Sequence, residues 1–394
     1  MKAFPMIKPI PMIASGFLAA FLSQIVCPTV PAYACGGLFC STQPVVQTKE
    51  RIVFEVDGAK VRAWIQLQFQ GSDPSFAWII PVPSVPEIEA SADSTVFDTL
   101  DRQTRPVFIS PGSSAPVAAY EGAPSAAASC AGGGLSYEDH PTPPSITAKI
   151  VPVPKVDVWS TVNAGPYDAV TLTAASAKDL ELWLNVNGYR VTLQSSSIVQ
   201  TYLDEGFKLI AVRLHPGLGA TSLPPIKLTY TNSEGCANIP IRLTAISSTP
   251  DLEVLAWAFA PARVVARNYT ALTIDETQLT SASMYVPLMQ STVQAAGGHG
   301  FVTEYSQPTS MIDPSGSADL EDLIAKHGWI TRVRTIMGPS DMTLDPELRA
   351  ATGTIAARPV SNQVYLGGRP KMALGTGAML VLLGLAVQIQ RRRR

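Results

Sequence analysis

The chain has 394 residues, 46% of them hydrophobic and 15% charged, with a formal net charge of −2. That length suits one large elaborated domain or two packed ones, and 28 glycines with 33 prolines favour turns and strands over long helices. The charge is segregated: Lys2, Lys8, Arg369, Lys371 and Arg391 to Arg394 take eight of the 29 basic residues to the two ends. The rest holds 21 against 31 acidic, about −10, which excludes a basic footprint for nucleic acid.

Residues 1–34 have the parts of a secretory signal. Lys2 and Lys8 form the charged start, Met12 to Val26 the apolar core, and Ala32-Tyr33-Ala34 a small-x-small cleavage site before Cys35. An uncleaved anchor would need a longer apolar run. Lipidation of Cys35 would want a leucine where Ala32 stands and a small residue in place of Tyr33.

Residues 35–109 read as the β-rich part of an exported body. Arg51 to Val56 leads into Asp57-Gly58, a hairpin dipeptide, and Val61, Ala63, Ile65, Leu67 and Phe69 then alternate with more polar neighbours. Phe76 to Pro83 reads as an apolar strand that its prolines confine to an edge or terminate, making a β-sandwich-like layer. A short helix is expected over 94–103. Residues 110–148 shift to Ala, Ser, Gly and Pro and read as a flexible insert, with His140 in it.

Residues 149–270 read as an α+β unit. Strands are expected at Val151–Trp159 and Ala169–Thr173, then a helix capped by Ser176 with Asp179 in capping-box spacing and stopped by Gly188. Ser197 and Gln200 repeat that device before Gly206. Further strands are expected at Phe207–Leu214, Ile226–Tyr230, Ile239–Ala245 and Val254–Ala260, with Trp183 and Trp257 in the core. A closing segment, 271–360, carries a helix over 318–326. A linker, 361–371, leads to Met372–Ile389, an apolar helix about 27 Å long, enough for one membrane span, and residues 390–394 form a basic cytoplasmic tail. The four final arginines do not suit a glycosyl-phosphatidylinositol signal, which ends in an apolar tail. The fold class expected is therefore β-rich α+β with one C-terminal transmembrane helix, residues 35–368 lying outside the cytoplasm in a bacterial cell envelope.

Loss of Cys27 with the signal would leave Cys35, Cys40, Cys130 and Cys236, an even number for an oxidising compartment. The pairing favoured is Cys35–Cys40 with Cys130–Cys236. The Cys-x4-Cys spacing departs from the Cys-x-x-Cys of thiol oxidoreductases and has no second ligand pair nearby for zinc.

Several segments together have a family likeness. "CGGLFC" at 35–40, "FAWIIPVPSVPEIE" at 76–89, "GPYDAVTL" at 165–172, "LELWLNVNGY" at 180–189 and "YLDEGFKLIAVRL" at 202–214 resemble the bacterial domain-of-unknown-function family 2330. So do "LPPIKLTY" at 223–230, "GFVTEY" at 300–305 and "ITRVRTIMGPSDMTLDPEL" at 330–348. The resemblance implies export, often with a carboxy-terminal membrane tag, and no established activity; it supplies no site residues.

Catalytic chemistry has few candidates. A nucleophile needs a base in reach, and His140, His215, His299 and His327 are the histidines; no Gly-x-Ser-x-Gly elbow or His-Glu-x-x-His occurs. His299, within Gly297-Gly298-His299-Gly300, has the most suggestive surroundings. His327 reads as a cation completing the end of helix 318–326, and His215 as a turn residue. Glu87/Glu89 and Glu321/Asp322 are carboxylate pairs of a common kind. Thr331-Arg332-Val333-Arg334 puts both arginines on one strand face ahead of Asp341, Asp345 and Glu347, which favours an internal ion-pair network over anion capture. No catalytic, cofactor-binding or metal residue is assigned and no cofactor is expected. The function expected is a non-enzymatic envelope module, anchored by its single span, that binds a partner protein or scaffolds the surface. Alternatives are an enzyme on envelope polymers with a site near His299, and a thiol-redox protein using Cys35 and Cys40.

Overall fold

The structure, a computed structural model, describes residues 38–39, 46–70, 77–91, 93, 95–112, 153–188, 196–214, 224–246 and 248–369. They fall in the unit Ala34–Arg394. A mixed eight-stranded sheet runs in the order β14 (Thr270–Leu272), β15 (Gly300–Pro308), β16 (Trp329–Met337), β12 (Ser248–Ala260), β2 (Val46–Asp57), β3 (Lys60–Gln70), β10 (Ile226–Thr231) and β5 (Glu87–Ala90). A five-stranded sheet runs β1 (Leu38–Phe39), β4 (Ala77–Val82), β9 (Lys208–Leu214), β8 (Tyr167–Ala174) and β7 (Val156–Ala164). Smaller sheets join β11 (Ala237–Asn238), β17 (Glu347–Ala350) and β13 (Val264–Ala266), and β18 (Gln363–Tyr365) with β6 (Val107–Ile109). The helices are α1 (Val96–Thr104), α2 (Ala177–Val186), α3 (Ser196–Asp204), α4 (Ile241–Thr244), α5 (Tyr285–Ala295) and α6 (Ala318–Lys326). The protein is β-rich α+β.

Period-two alternation explains the layering. In β2, Ile52, Phe54 and Val56 point one way and join Val254, Ala256 and Ala258 of β12 and Val333 of β16. That face meets Ile80, Val82, Ala169, Ile210 and Val212 of the five-stranded sheet, so the two sheets share one apolar core. The opposite face sends Val53, Trp64, Leu255, Trp257 and Phe259 against α1 and α6. Trp64 and Trp257 are fully buried there, each side chain worth roughly 1.5–3 kcal/mol of apolar burial. Gly58-Ala59 makes the β2–β3 hairpin turn, one residue later than the Asp57-Gly58 dipeptide suggests, with Gly58 at φ +57° and Asp57 paired with Lys60. The large sheet draws strands from each of the stretches 35–109, 149–270 and 271–360, and its middle pairs β2 with β12 in parallel, Val53 opposite Trp257.

Local readings meet two corrections. Residues 241–244 form one helical turn, not a strand, because the Asp345 carboxylate accepts the Arg242 N–H at 3.0 Å and satisfies a donor that a strand would have offered to a neighbour. Ser197 lies inside α3, where its carbonyl accepts the Thr201 hydroxyl at 3.0 Å, and is no cap. Gln200 instead accepts the Ala177 N–H at 3.0 Å and so closes the start of α2, beside the Ser176 cap that accepts from Asp179 N–H. The expected span at Met372–Ile389 lies outside the described residues, as do the signal at 1–34 and most of the insert. Among the described residues no helix is long and apolar enough to cross a membrane.

Candidate functional site

Alternation along β16 puts Ile330, Arg332, Arg334 and Ile336 on the face away from the shared core, where α1 and α5 cover them. Burying two guanidinium groups requires partners, and β15 supplies one through an irregularity. Its register against β16 shifts between Thr303 and Tyr305, and the residue at the bulge is Glu304. Its carboxylate has no exposure and sits between both arginines, Oε2 at 2.5 Å from Arg332 Nε and Oε1 at 3.5 Å from Arg334 Nη1. The ladder continues outward. Arg332 Nη1 reaches Asp101 at 2.7 Å, Arg334 Nη2 reaches Glu253 at 2.8 Å, and Lys49 Nζ lies 2.7 Å from the same Glu253. Burial would raise the Glu253 carboxyl, but Arg334 and Lys49 outweigh it and hold it down at about 2. Burial, then the Glu304 charge, pushes the Tyr285 phenol well above its ordinary value. A small polar cavity of about 80 Å³ opens on this ladder between Lys49, Asp101, Glu253, Tyr285, Arg332 and Arg334.

Glu304 and Tyr285 also line a much larger cleft of about 650 Å³, within the range of small-molecule sites. Its apolar lining comes from Leu272 of β14, Ile274 just after it, Val302 of β15 and Val364 of β18. Arg263, Arg358, Thr303, Gln307 and Ser361 line it as well. The pairing of β13 with β17 fixes the backbone just beyond Arg263, whose own N–H donates to Ala356 O at 2.9 Å. Arg263 Nη2 donates to Thr303 Oγ1 at 3.1 Å, while its Nε is buried without a hydrogen-bond partner. Neither Arg263 nor Arg358 forms an ion pair with a carboxylate among the described residues. Burial, then the neighbouring Arg358 charge, pulls the Arg263 guanidinium below its ordinary value. On the rim, Arg369 Nε lies 3.5 Å from Glu276 Oε2.

A second polar cluster adjoins the same end of β2, around Gln47 and Glu50. Asp345 accepts from Tyr202 Oη at 2.6 Å and Arg242 Nε at 3.1 Å, and Arg242 makes two further bonds to Glu205, at 2.9 and 2.7 Å. Burial raises Asp345 above its ordinary value. Glu50 accepts one bond from Gln47 at 3.2 Å, and burial raises its carboxyl to about 7, with Asp345's charge adding to the shift.

The residues singled out in the sequence are dispersed. His299 Nε2 lies 3.0 Å from Thr343 Oγ1 and its ring stacks edge-on against Tyr269, 5.1 Å between centroids. A hydroxyl against an imidazole is half of a nucleophile–base arrangement, but neither cavity above is lined by His299. His327 does cap the end of α6, but it is buried, its Nε2 2.9 Å from Glu55 Oε1, and burial lowers its pKa, which disfavours the expected cation. Arg332 and Arg334 do share a face, yet their acids are Glu304, Glu253 and Asp101 rather than Asp341, Asp345 and Glu347. Cys236 is a buried free thiol that accepts from Asn232 Nδ2 at 3.5 Å; Cys35, Cys40 and Cys130 lie outside the described residues, as do His140 and His215. Among the described residues no group of three or more His, Cys, Asp or Glu side chains could hold a metal ion. Sequence reading missed Glu304, Arg263 and Arg358. The bulge that aims Glu304 leaves no compositional trace, and the two arginines are far apart in the chain.

Comparison with known proteins gives a family and little else. The family described as "Uncharacterized protein conserved in bacteria (DUF2330)" matches residues 30–349. No curated protein matches. A crystal structure of baculovirus P35 aligns over 57% of this chain and 67% of its own at 11% identity, with a TM-score of 0.28.

Proposed function

We propose that this chain, which belongs to the DUF2330 family of uncharacterized proteins conserved in bacteria, is an exported, membrane-anchored envelope protein whose body is a non-enzymatic binding module. The carrying observation is the 650 Å³ cleft between α5, β15 and the 355–364 segment, whose lining mixes apolar with polar and cationic residues. A rigid floor supports it: the ion ladder behind Glu304 ties β15, β16, β12 and α1 together, so the cleft keeps its form before a partner arrives. Export and anchoring are supported by the Lys2–Ala34 leader pattern and by Met372–Ile389 with its arginines.

Site-specific photocrosslinking in intact cells tests the reading. A crosslinker at exposed Ile355, on the cleft rim, should capture a discrete envelope partner that one at exposed Lys178 on α2 does not. Identical products from both positions, or none from Ile355, would refute it. Fractionation tests the address: the full chain should sediment with membranes, and a chain ending at residue 371 should be released.

The His299–Thr343 contact supports a second reading, an enzyme acting on envelope polymers. His299→Ala would then abolish a cellular phenotype while leaving the thermal transition in place; an unchanged phenotype removes that reading. A thiol-redox role for Cys35 and Cys40 predicts their reduction by mild dithiol reagents, and a pair inert to them excludes it.

A further inference from the structure

We infer that the cleft takes an oxyanion carried on an apolar body, the carboxylate or phosphate seated between Arg263 and Arg358 and the body against Leu272, Ile274 and Val302. This rests on the cleft being the binding site proposed above and names the chemistry of its ligand. The argument is one of local charge. Five charged residues line the cleft: Arg263, Arg358, Arg369, Glu276 and Glu304. The Glu304 carboxylate is unexposed and paired from behind by Arg332 and Arg334, and Glu276 Oε2, which has no hydrogen bond, lies 3.5 Å from exposed Arg369. The two arginines left over line the same cleft, and neither has a carboxylate ion-pair partner among the described residues. Two like charges lining one cleft, Arg263 half-buried and Arg358 exposed, are unfavourable unless something arrives to share.

Geometry points the same way. A guanidinium offers donors in a planar fork matched to carboxylate and phosphate oxygens. In Arg263 one Nη is committed to Thr303, while the Nε–H is buried and unbonded. A buried donor without an acceptor is the exception in folded proteins and asks for a partner. Thr303, Gln307 and Ser361 also line the cleft, with side chains able to contribute to the shell of an oxyanion. Leu272, Ile274, Val302 and Val364 in the same lining offer nothing to an inorganic ion, so affinity should need both halves of the ligand.

Calorimetric titration of the full-length chain in neutral detergent, against protein-free micelles, tests this with three soluble probes. Benzoate and phenyl phosphate carry the two oxyanions on an apolar ring, and benzyl alcohol carries the ring without charge. At least one anion should bind tenfold or more tightly than benzyl alcohol, and which one it is assigns the headgroup. Arg358→Gln, at an exposed position that leaves folding intact, and Arg263→Gln should each weaken that anion by about tenfold, the loss expected for one charged hydrogen-bonding group. Lys178→Gln should leave it unchanged, and thermal transitions of all variants verify folding. Equal affinity for the three probes, anion binding indifferent to Arg358→Gln, or binding of none of them would overturn the inference. The parent reading fails separately: capture at Ile355 that persists in Arg358→Gln leaves a binding cleft standing with the wrong ligand chemistry.

Discussion

Glu50 is 4% exposed, accepts one hydrogen bond from Gln47 and feels the charge of Asp345, and its carboxyl is accordingly raised from 4.5 to about 7. A folded state that holds this proton more tightly than the unfolded chain gains stability below pH 4.5 and loses it as pH rises through 7. The loss is on the order of 3 kcal/mol. Glu253 works in the opposite sense: lowered to about 2, it contributes above pH 4.5 and the contribution disappears as pH falls through 2. Glu50→Gln, which mimics the protonated acid, should therefore flatten the fall in melting temperature between pH 5 and 8, measured by calorimetry. Parallel curves for the variant and the parent would show that Glu50 is not the group titrating. Gly298 is a residue of another kind. It stands at φ +79°, and a Cβ there would overlap the Asp341 side chain. Gly298→Ala should cost about 2 kcal/mol or more in chemical denaturation. A neutral result would mean the 297–299 turn relaxes freely, and with it the placement of His299 against Thr343.

At the scale of elements, the β15 bulge is the feature on which the ladder depends. Removing the Glu304 charge leaves Arg332 and Arg334 buried with one acid each, so Glu304→Gln should destabilise the fold by about 3–5 kcal/mol in urea unfolding. A cost below 1 kcal/mol would mean that water already screens the pair. Sequence legibility divides along the same line. Elements fixed by near neighbours were readable: the alternation of β3, a hairpin turn at Gly58, the Ser176 cap, and α6 at 318–326. Elements decided by distant partners were not. The 241–244 turn takes its helical form from Asp345, over a hundred residues away, and His327 is buried against Glu55 from the first hairpin. The face shared by Arg332 and Arg334 follows from period two, but the identity of their acids depends on strand order, which no local pattern encodes. The cleft was invisible for the same reason: its arginines lie on either side of the whole β14–β16 segment.

For the molecule as a whole, interleaving has a thermodynamic consequence. The large sheet pairs β2 with β12 and β3 with β10, and the five-stranded sheet pairs β4 with β9, so no contiguous stretch owns a sheet of its own. Unfolding of the 38–369 body should be one cooperative transition, with tryptophan fluorescence from buried Trp64 and Trp257 coinciding with far-ultraviolet circular dichroism. Two separated transitions would reveal independent domains. Fragments such as 35–109 should remain unfolded on their own. The parallel seam between β2 and β12 also sets a clock. A strand made early must wait, its edge unpaired, until Ser248–Ala260 has been synthesised, on the order of ten seconds or more at ordinary elongation rates. Throughout that interval the nascent chain displays the stickiest part of its future core, Ile52 to Val56, to whatever surrounds it. A chain built in this way closes its central sheet late, only after its last third has emerged.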